Sequence, residues 1–181
     1  MAVVHAWTTG ELRGFRRRLR SWYARNRRDL PWRGTRDAYR VWVSEIMLQQ
    51  TQVSTVIPYY SRFLQRFPTV RRLAAANEND VLREWEGLGY YRRARQMHSA
   101  ARMIVAEHGG NVPLDLAALR RLPGIGRYTA GAILSFAHDQ RAAILEANTQ
   151  RLHARLIALR EPLHSSASQR LLWRVADVLL P

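Results

Sequence analysis

Cysteine and lysine are both absent from the 181 residues of the chain, so that all 29 basic residues are arginine. Without thiols the chain cannot form disulfide bonds, use a thiolate nucleophile or hold a cysteine-ligated metal cluster. Without a lysine amine, no side chain can form a Schiff base, because the arginine guanidinium stays protonated at any working pH. These two absences exclude several classes of covalent chemistry.

Long apolar runs are also missing from the sequence. No stretch approaches the roughly 20 apolar residues that a membrane-spanning helix needs. The first residues lack the basic-then-apolar order of a secretory signal. The six histidines show no spacing with carboxylates that would hold a metal ion. We therefore expect a soluble, intracellular protein with no membrane partner and no metal site.

The charge of the chain is strongly one-sided, with a formal net charge of +15 at pH 7. Such an excess favours a polyanionic partner, above all nucleic acid. A basic protein that binds membrane surfaces is the competing interpretation, although the arginines here are spread over the whole chain. A GC-rich genome favours arginine codons and would also raise the charge, and the genomic and functional explanations can hold together.

The pattern of apolar residues predicts an all-α fold. Alternating strand patterns are scarce, and glycine and proline fall where helices would end. We expect Pro58 to open a helix that ends before Phe67, and Asn77 and Asp115 to cap helices that reach residues 85 and 121. The other predicted helices cover residues 9–27, 37–50, 92–107, 127–137, 148–159 and 168–180.

The strongest local motif spans residues 119–130, where two helices flank a turn that contains Leu122, Gly124, Gly126 and Arg127. Glycine lets backbone amides approach an anion without a Cβ in the way. The helix that follows adds its own amides and positive dipole end. The motif predicts a phosphate-binding site that is independent of DNA sequence. The alternative is an ordinary bend between two helices, and the leading Leu-Pro and the basic charge of the chain disfavour it.

A second motif places a carboxyl group on an apolar helix face. Val41, Glu45 and Leu48 share one face of the predicted helix over 37–50. Desolvation of a carboxyl group favours its protonated form, which is how an enzyme keeps an acid available near neutral pH. A boundary glutamate paired with an arginine fits the spacing equally well, and the residues alone leave both interpretations open.

Two further segments carry groups that could contact a base. Gln50 and Thr51 end the same helix with an amide and a hydroxyl, which can read base edges or simply cap the helix. Residues 87–91 offer an apolar wedge, Leu88, between two glycines, and an aromatic ring, Tyr90, after the second glycine. Wedges of this kind fill the gap that an extruded nucleotide leaves. By themselves the residues favour a packed turn between helices.

Taken together, these motifs resemble the helix-hairpin-helix DNA glycosylase superfamily and, within it, the MutY-type adenine glycosylases. The resemblance runs from about Trp22 to Leu159. It is carried by four separate motifs in the family's order, at residues 30–33, 44–53, 85–95 and 122–130.

The resemblance implies a fold of two helical domains. A barrel domain, residues 36–145, would hold the helix-hairpin-helix at 115–137, and residues 1–35 and 146–181 would form the second domain. The active site would lie in the cleft between them. Glu45 matches the family's catalytic acid, which protonates adenine so that it can leave.

The resemblance also assigns roles around this acid. Tyr128 matches the position of a nucleophilic lysine in the bifunctional relatives of the endonuclease III type, which implies a monofunctional enzyme. Four residues match those that insert around the mispaired base, and two match positions near the adenine pocket. They are Gln50, Thr51, Leu88 and Tyr90 in the first group, and Trp32 and Arg33 in the second.

One position departs from the family. The family carries an aspartate that stabilises the positive charge on the sugar and helps water to attack. Here Glu146 replaces it and Ala147 replaces the following glycine, whereas Asn148 is kept. The implied catalytic set is therefore Glu45, Glu146, Tyr128 and Asn148.

The resemblance implies a partner and leaves alternatives. The expected substrate is double-stranded DNA that contains a mismatch or an oxidised base, bound by a monomer in a bacterial-type cytoplasm beside the nucleoid. Relatives continue into a cysteine-ligated iron–sulfur cluster beyond the position of Pro181, so we expect no cofactor in this chain. A thymine or uracil mismatch glycosylase of the same superfamily and a mismatch-binding homologue with impaired catalysis are the competing hypotheses.

Overall fold

The structure, a computed structural model, describes residues 7–181, and over that range it contains ten α-helices and no β-strand. The all-α prediction is confirmed. The helices are α1 (Thr9–Asn26), α2 (Ala38–Met47), α3 (Val53–Arg66), α4 (Val70–Ala74), α5 (Glu78–Glu84), α6 (Arg92–His108), α7 (Leu116–Arg121), α8 (Arg127–His138), α9 (Ala147–Leu156) and α10 (Ser166–Leu179).

The helix over 53–66 starts earlier than predicted. Pro58 lies inside α3, which begins at Val53 after an extended Gln52. Proline lacks the amide that would bond to the carbonyl of Ser54, one turn earlier. Because Ser54 is exposed, water can bond to that carbonyl. The prediction that Pro58 opens the helix was therefore wrong.

Helix α4 was not predicted at all. It follows Pro68, and the side chain of Thr69 accepts a hydrogen bond from the amide of Arg72 at 3.2 Å, as an N-cap does. Val70 and Leu73 lie three residues apart on this five-residue helix, and both are buried. A proline–threonine pair before two apolar residues at helical spacing was the available signal.

By contact density the chain divides into two compact units, residues 30–140 and residues 7–29 with 141–181. In the first unit α2 packs against α8, α3 and α6, and α4 and α5 pack against α6. Trp42, Val43 and Met47 of α2 are fully buried. Helix α2 therefore runs through the core of this unit, and its C-terminal end emerges at the candidate site.

The second unit is built around α9 and α10. Its core contains Leu145, Ala154, Ile157, Leu172 and Val175. Helix α1 contributes no buried residue. Arg16 of α1 donates to the carbonyls of Val178 at 2.8 Å and Leu179 at 3.1 Å, and so binds the free carbonyls at the end of α10.

Over residues 7–181, no helix is both long enough and apolar enough to cross a membrane.

Candidate functional site

The candidate acid, Glu45, lies near the C-terminal end of α2 and is only 8% exposed. Its neighbours Ser44 and Ile46 are buried as well, and the hydroxyl of Ser44 donates to the carbonyl of Val41 at 2.7 Å. Helix α2 is thus buried on nearly every side, more than the apolar face read from the sequence indicated. A carboxyl group is held inside the protein two residues before the last residue of the helix.

The segment of residues 49–51 follows α2 and leaves the core. Helix α2 ends at Met47, earlier than the predicted boundary near Gln50, and Gln50 itself has a left-handed backbone with φ of 57°. The side chain of Gln50 is exposed, whereas that of Gln49 turns inward and donates to Thr129 Oγ1 at 3.5 Å. Gln49 therefore connects this segment to α8, and Gln50 is presented outward.

The loop of residues 87–91 presents one of its two candidate side chains and packs the other. Leu88 is 5% exposed, whereas Tyr90 is 60% exposed. At Gly87 φ is 93°, which strains any residue with a side chain, and an ideal Cβ there would lie 2.2 Å from Tyr59 Oη. Leu88 could enter DNA only by leaving its packing, but Tyr90 needs no such change. The loop is therefore both a packed turn, through Leu88, and the carrier of an exposed aromatic ring, Tyr90.

Arg93, in the first turn of α6, lies at the candidate site, and the sequence analysis assigned it no role. It is 8% exposed and lies on the buried face of α6 with Met97, Ala100 and Ile104. Its guanidinium donates to acceptors in both the 49–51 segment and the 87–91 loop. An arginine at an apolar position of an amphipathic helix was the available signal, since buried arginine is rare unless paired.

The hairpin between α7 and α8 is packed against the protein through buried apolar residues. Leu122 and Ile125 are buried, and the amide of Leu122 donates to the carbonyl of Leu119 at 3.1 Å. Leu122, predicted to contact DNA, is thus placed where it supports the turn. Gly124, with φ of 75°, and Gly126 are exposed.

Helix α8 begins beside this turn with the features of an anion-binding helix start. Gly126 is the N-cap residue and provides no side-chain cap. An ideal Cβ at Gly126 would meet nothing within 4 Å, so the space above its backbone is open. Arg127 is exposed at the first helical position. Amides, helix dipole and guanidinium can act together on one phosphate.

Tyr128, Trp32 and Arg33 lie at three different depths in the same unit. Tyr128 is half-buried and Arg33 is exposed. Trp32 is buried and packs edge-on against Tyr60, with ring centroids 5.3 Å apart. Burial raises the pKa of Tyr60 to about 12, so its hydroxyl stays protonated at neutral pH. Trp32 therefore packs inside the unit, whereas the side chain of Arg33 is accessible to a ligand.

Glu146 and Asn148 belong to the other unit, at the start of α9. Glu146 is the N-cap residue, and its carboxylate accepts hydrogen bonds from the amides of Asn148 at 2.8 Å and Thr149 at 2.9 Å. Asn148 Oδ1 accepts from Arg151. The carboxylate of Glu146 is therefore held in a fixed orientation by the backbone of its own helix.

The described residues 7–181 offer no set of side chains that would bind a metal ion or a metal cluster. The sequence has no cysteine, and among residues 7–181 no group of three or more histidine or acidic side chains is placed to share a metal ion. The residues present do not fit a cysteine-ligated iron–sulfur cluster.

Comparison with curated proteins finds relatives named adenine DNA glycosylase. The chain is 46% identical over 179 residues to an adenine DNA glycosylase of Rattus norvegicus, with 94% of this chain and 35% of that protein covered. The chain thus spans about a third of the length of this relative.

Among solved structures, a thermostable thymine-DNA glycosylase superposes with a TM-score of 0.81 at 27% identity, covering 94% of this chain and 78% of that one. A non-covalent endonuclease III–DNA complex superposes with a TM-score of 0.76 at 21% identity, covering 96% and 77% of the two chains; this second likeness establishes the fold. Residues 43–176, which include Glu45, Arg93, the hairpin and Glu146, match the HhH-GPD superfamily of base excision DNA repair proteins, and the chain belongs to that superfamily.

Proposed function

We propose that the chain is a monofunctional DNA glycosylase that excises adenine mispaired with 8-oxoguanine or guanine. The observation that carries this proposal is the arrangement around the end of α2. A buried Glu45 stands five residues before the exposed Gln50, and Arg93 connects the 49–51 segment to the loop bearing the exposed Tyr90. The candidate acid and the side chains proposed to contact the mispair are thus carried by connected segments of one unit. The relatives named adenine DNA glycosylase support adenine as the base that is excised.

Binding would begin on the phosphate backbone. The amides around Gly124 and Gly126 and the guanidinium of Arg127 would hold a phosphate without regard to sequence. Gln50 and Tyr90 would then contact the mispair as the adenine nucleotide leaves the stack. The partner that we propose is duplex DNA with a mismatch or an oxidised base, bound by one copy of the chain.

Glu45 would donate its proton to the extruded adenine, and the electrons of the bond between C1′ and the base would leave with the base. The positive charge that develops on the sugar would be stabilised by the carboxylate of Glu146. A water oxygen would then bond to C1′ and pass a proton to a carboxylate, which leaves an abasic site. Because the sequence contains no lysine, no side-chain amine is available to form a Schiff base with that site.

A thymine glycosylase is the second candidate, because the thymine-DNA glycosylase shares this fold at 27% identity. Both candidates are tested by incubating excess protein with duplexes that contain A opposite 8-oxoguanine, A opposite G, A opposite T, or T opposite G. Free bases are then separated and quantified.

We expect adenine release from the first two duplexes and none from the last two. Thymine release from the T opposite G duplex would favour the second candidate. Tight binding to a mismatch with no base released under these single-turnover conditions would replace both candidates with a protein that binds mismatched DNA without catalysis.

A further inference from the structure

Two residues of the candidate site adopt a backbone conformation that side chains disfavour. Gln50 and Tyr90 have φ of 57° and 50°, in the left-handed region. Residues with a Cβ persist there only where the surrounding structure holds them. Both residues are exposed, so their own side chains do not provide that restraint through burial. A neighbouring group must hold each of these turns.

The guanidinium of Arg93 reaches both turns. Its Nη1 donates to the carbonyl of Gln49, the residue immediately before Gln50. Its Nη2 donates to the carbonyl of Gly89, the residue immediately before Tyr90, at 3.2 Å. One planar group therefore holds the peptide that precedes each left-handed residue.

The remaining contacts of Arg93 anchor this group firmly. Nη1 lies 3.0 Å from the carbonyl oxygen of Ile46 and 2.9 Å from that of Met47, at the end of α2. Nη2 donates to Thr51 Oγ1 at 3.1 Å and to the carbonyl of Leu88 at 3.2 Å. The guanidinium carbon also lies 5.3 Å from the centre of the Tyr90 ring. The 49–51 segment and the 87–91 loop are thus joined through one side chain.

We propose that Arg93 is the positioning residue for recognition of the mispair: by joining the 49–51 segment to the 87–91 loop, it sets the separation at which Gln50 and Tyr90 meet the DNA. The inference rests on the proposed function. Arg93 is buried and acts through these two segments. A rigid fork of donors can span two sets of carbonyls, whereas the single nitrogen of a lysine reaches one set.

This role separates recognition from general DNA binding. The hairpin at Gly124 and Gly126 is not among the hydrogen-bonding partners of Arg93 described above, and it would bind any duplex. Loss of Arg93 would release both left-handed turns and leave the hairpin in place. Discrimination between mispaired and paired DNA therefore depends on Arg93, and affinity for paired DNA does not.

The test compares Arg93→Met and Arg93→Lys with Arg95→Met as the matched control. Arg95 lies on the same helix but is exposed, and its Nε is 3.5 Å from Glu78 Oε1. Dissociation constants are measured for paired and mispaired duplexes. The fluorescence of 2-aminopurine at the target position, which rises when the base unstacks, is read at saturating protein. Single-turnover adenine release and thermal unfolding complete the set.

We expect both Arg93 variants to bind paired DNA within about twofold of the parent. We expect them to lose about tenfold or more of the preference for mispaired DNA and most of the fluorescence rise, whereas Arg95→Met resembles the parent. A merely structural residue would lower the unfolding temperature and weaken binding to both duplexes alike, which would overturn the proposal.

Parent-like preference and fluorescence in Arg93→Lys would also overturn it, and this variant decides the matter if Arg93→Met fails to fold. The two hypotheses fail differently. A parent protein that releases no adenine contradicts the proposed function, whereas variants that match an active parent contradict only the role of Arg93.

Discussion

Glu146 and Thr149 form two reciprocal hydrogen bonds across the first turn of α9, each from a backbone amide to the other residue's side chain. Glu146 Oε1 accepts a hydrogen bond from the amide of Thr149 at 2.9 Å, and Thr149 Oγ1 accepts one from the amide of Glu146 at 2.8 Å. This capping box accounts for a carboxylate at position 146 without any catalytic role. Stability and rate must therefore be measured together at this position.

Replacement of Glu146 separates capping from catalysis. We expect Glu146→Gln to lower the single-turnover rate of adenine release by about ten- to a hundredfold, because a neutral amide stabilises a cationic sugar poorly. We expect Glu146→Asp to raise the rate, alone or together with Ala147→Gly, because a misplaced catalytic group can cost about a hundredfold per ångström.

The control for this series is Ser165→Ala. Ser165 caps α10 in the same unit, where its hydroxyl accepts from the amide of Ser168 at 3.1 Å. Its loss should cost about 1 kcal/mol of stability and leave the rate unchanged. If Glu146→Gln releases adenine as fast as the parent, then Glu146 only caps the helix.

Replacement of the candidate acid should stop catalysis and spare binding. We expect Glu45→Gln to lower the rate of base release by about two to four orders of magnitude, since a positioned acid contributes that much. The dissociation constant for mispaired DNA should stay within a few-fold of the parent. Glu84→Gln is the control, because Glu84 is paired with Arg62 at 3.1 Å. Release by Glu45→Gln at more than about a tenth of the parent rate would refute the assignment.

The two hairpin glycines should respond differently to substitution. We expect Gly126→Ala to weaken binding to all duplexes by about tenfold, because its methyl group fills the open space where a phosphate would approach, and to cost only about 1 kcal/mol of stability or less, because alanine is a poorer N-cap than glycine. Gly124→Ala should lower stability more, since φ is 75° and an ideal Cβ would lie 3.0 Å from Gln96 Cβ.

Gly10→Ala in α1 is the control for this pair and should change neither affinity nor stability strongly. Filter binding and thermal unfolding measure the two properties. If Gly126→Ala binds as tightly as the parent, the phosphate is held elsewhere.

Borohydride should trap no covalent complex between the protein and cleaved DNA. The reason is that the sequence contains no lysine, so that no side chain can form the imine that borohydride reduces. Strand breaks should appear only after alkali or heat. Denaturing gels of the reaction detect both outcomes, and a trapped band would contradict the prediction and point to the terminal amine or to a different mechanism.

Stability should fall as the pH drops below about 6.5, partly through His98. Burial, reinforced by Arg102, lowers the pKa of His98, whose Nε2 lies 3.1 Å from the carbonyl oxygen of Ala76. The folded state therefore binds fewer protons than the unfolded state, and stability is lost as the pH falls from the unfolded pKa through the lowered one.

Unfolding temperatures between pH 5 and 8 measure this effect, and His98→Gln should flatten the slope. The exposed His164→Gln should not. Some slope should remain in His98→Gln, because burial also lowers the pKa of His153. Identical slopes for His98→Gln and the parent would contradict the role of His98.

The features that sequence reasoning found are those with local causes. Asn77 and Asp115 cap their helices as predicted, because the side chain and the amides it binds lie within three residues of one another. The hairpin glycines were found for the same reason, since a turn is encoded by its own residues. Pro58 misled because a single missing amide bond is inexpensive where the carbonyl is exposed.

What the sequence could not show depends on distant parts of the chain. The partners of Arg93 in α2 lie 46 and 47 residues earlier, and they are backbone carbonyls, which any residue type provides. No pattern of side chains in the sequence predicts which backbone carbonyls will accept these hydrogen bonds. Leu88 illustrates a second limit, because an apolar residue in a glycine-rich turn can pack inward or project outward, and only the fold decides. It packs inward here.

Helix α1 has a consequence for how the protein opens in solution. Because none of its residues is buried, few contacts oppose its local unfolding, and the bonds of Arg16 to the end of α10 are the tertiary restraint described above. Its amides should exchange with deuterium through small local openings, whereas those of α2 should exchange only when the whole unit unfolds. The N-terminal helix and the helix that carries Glu45 would then belong to different cooperative units of folding.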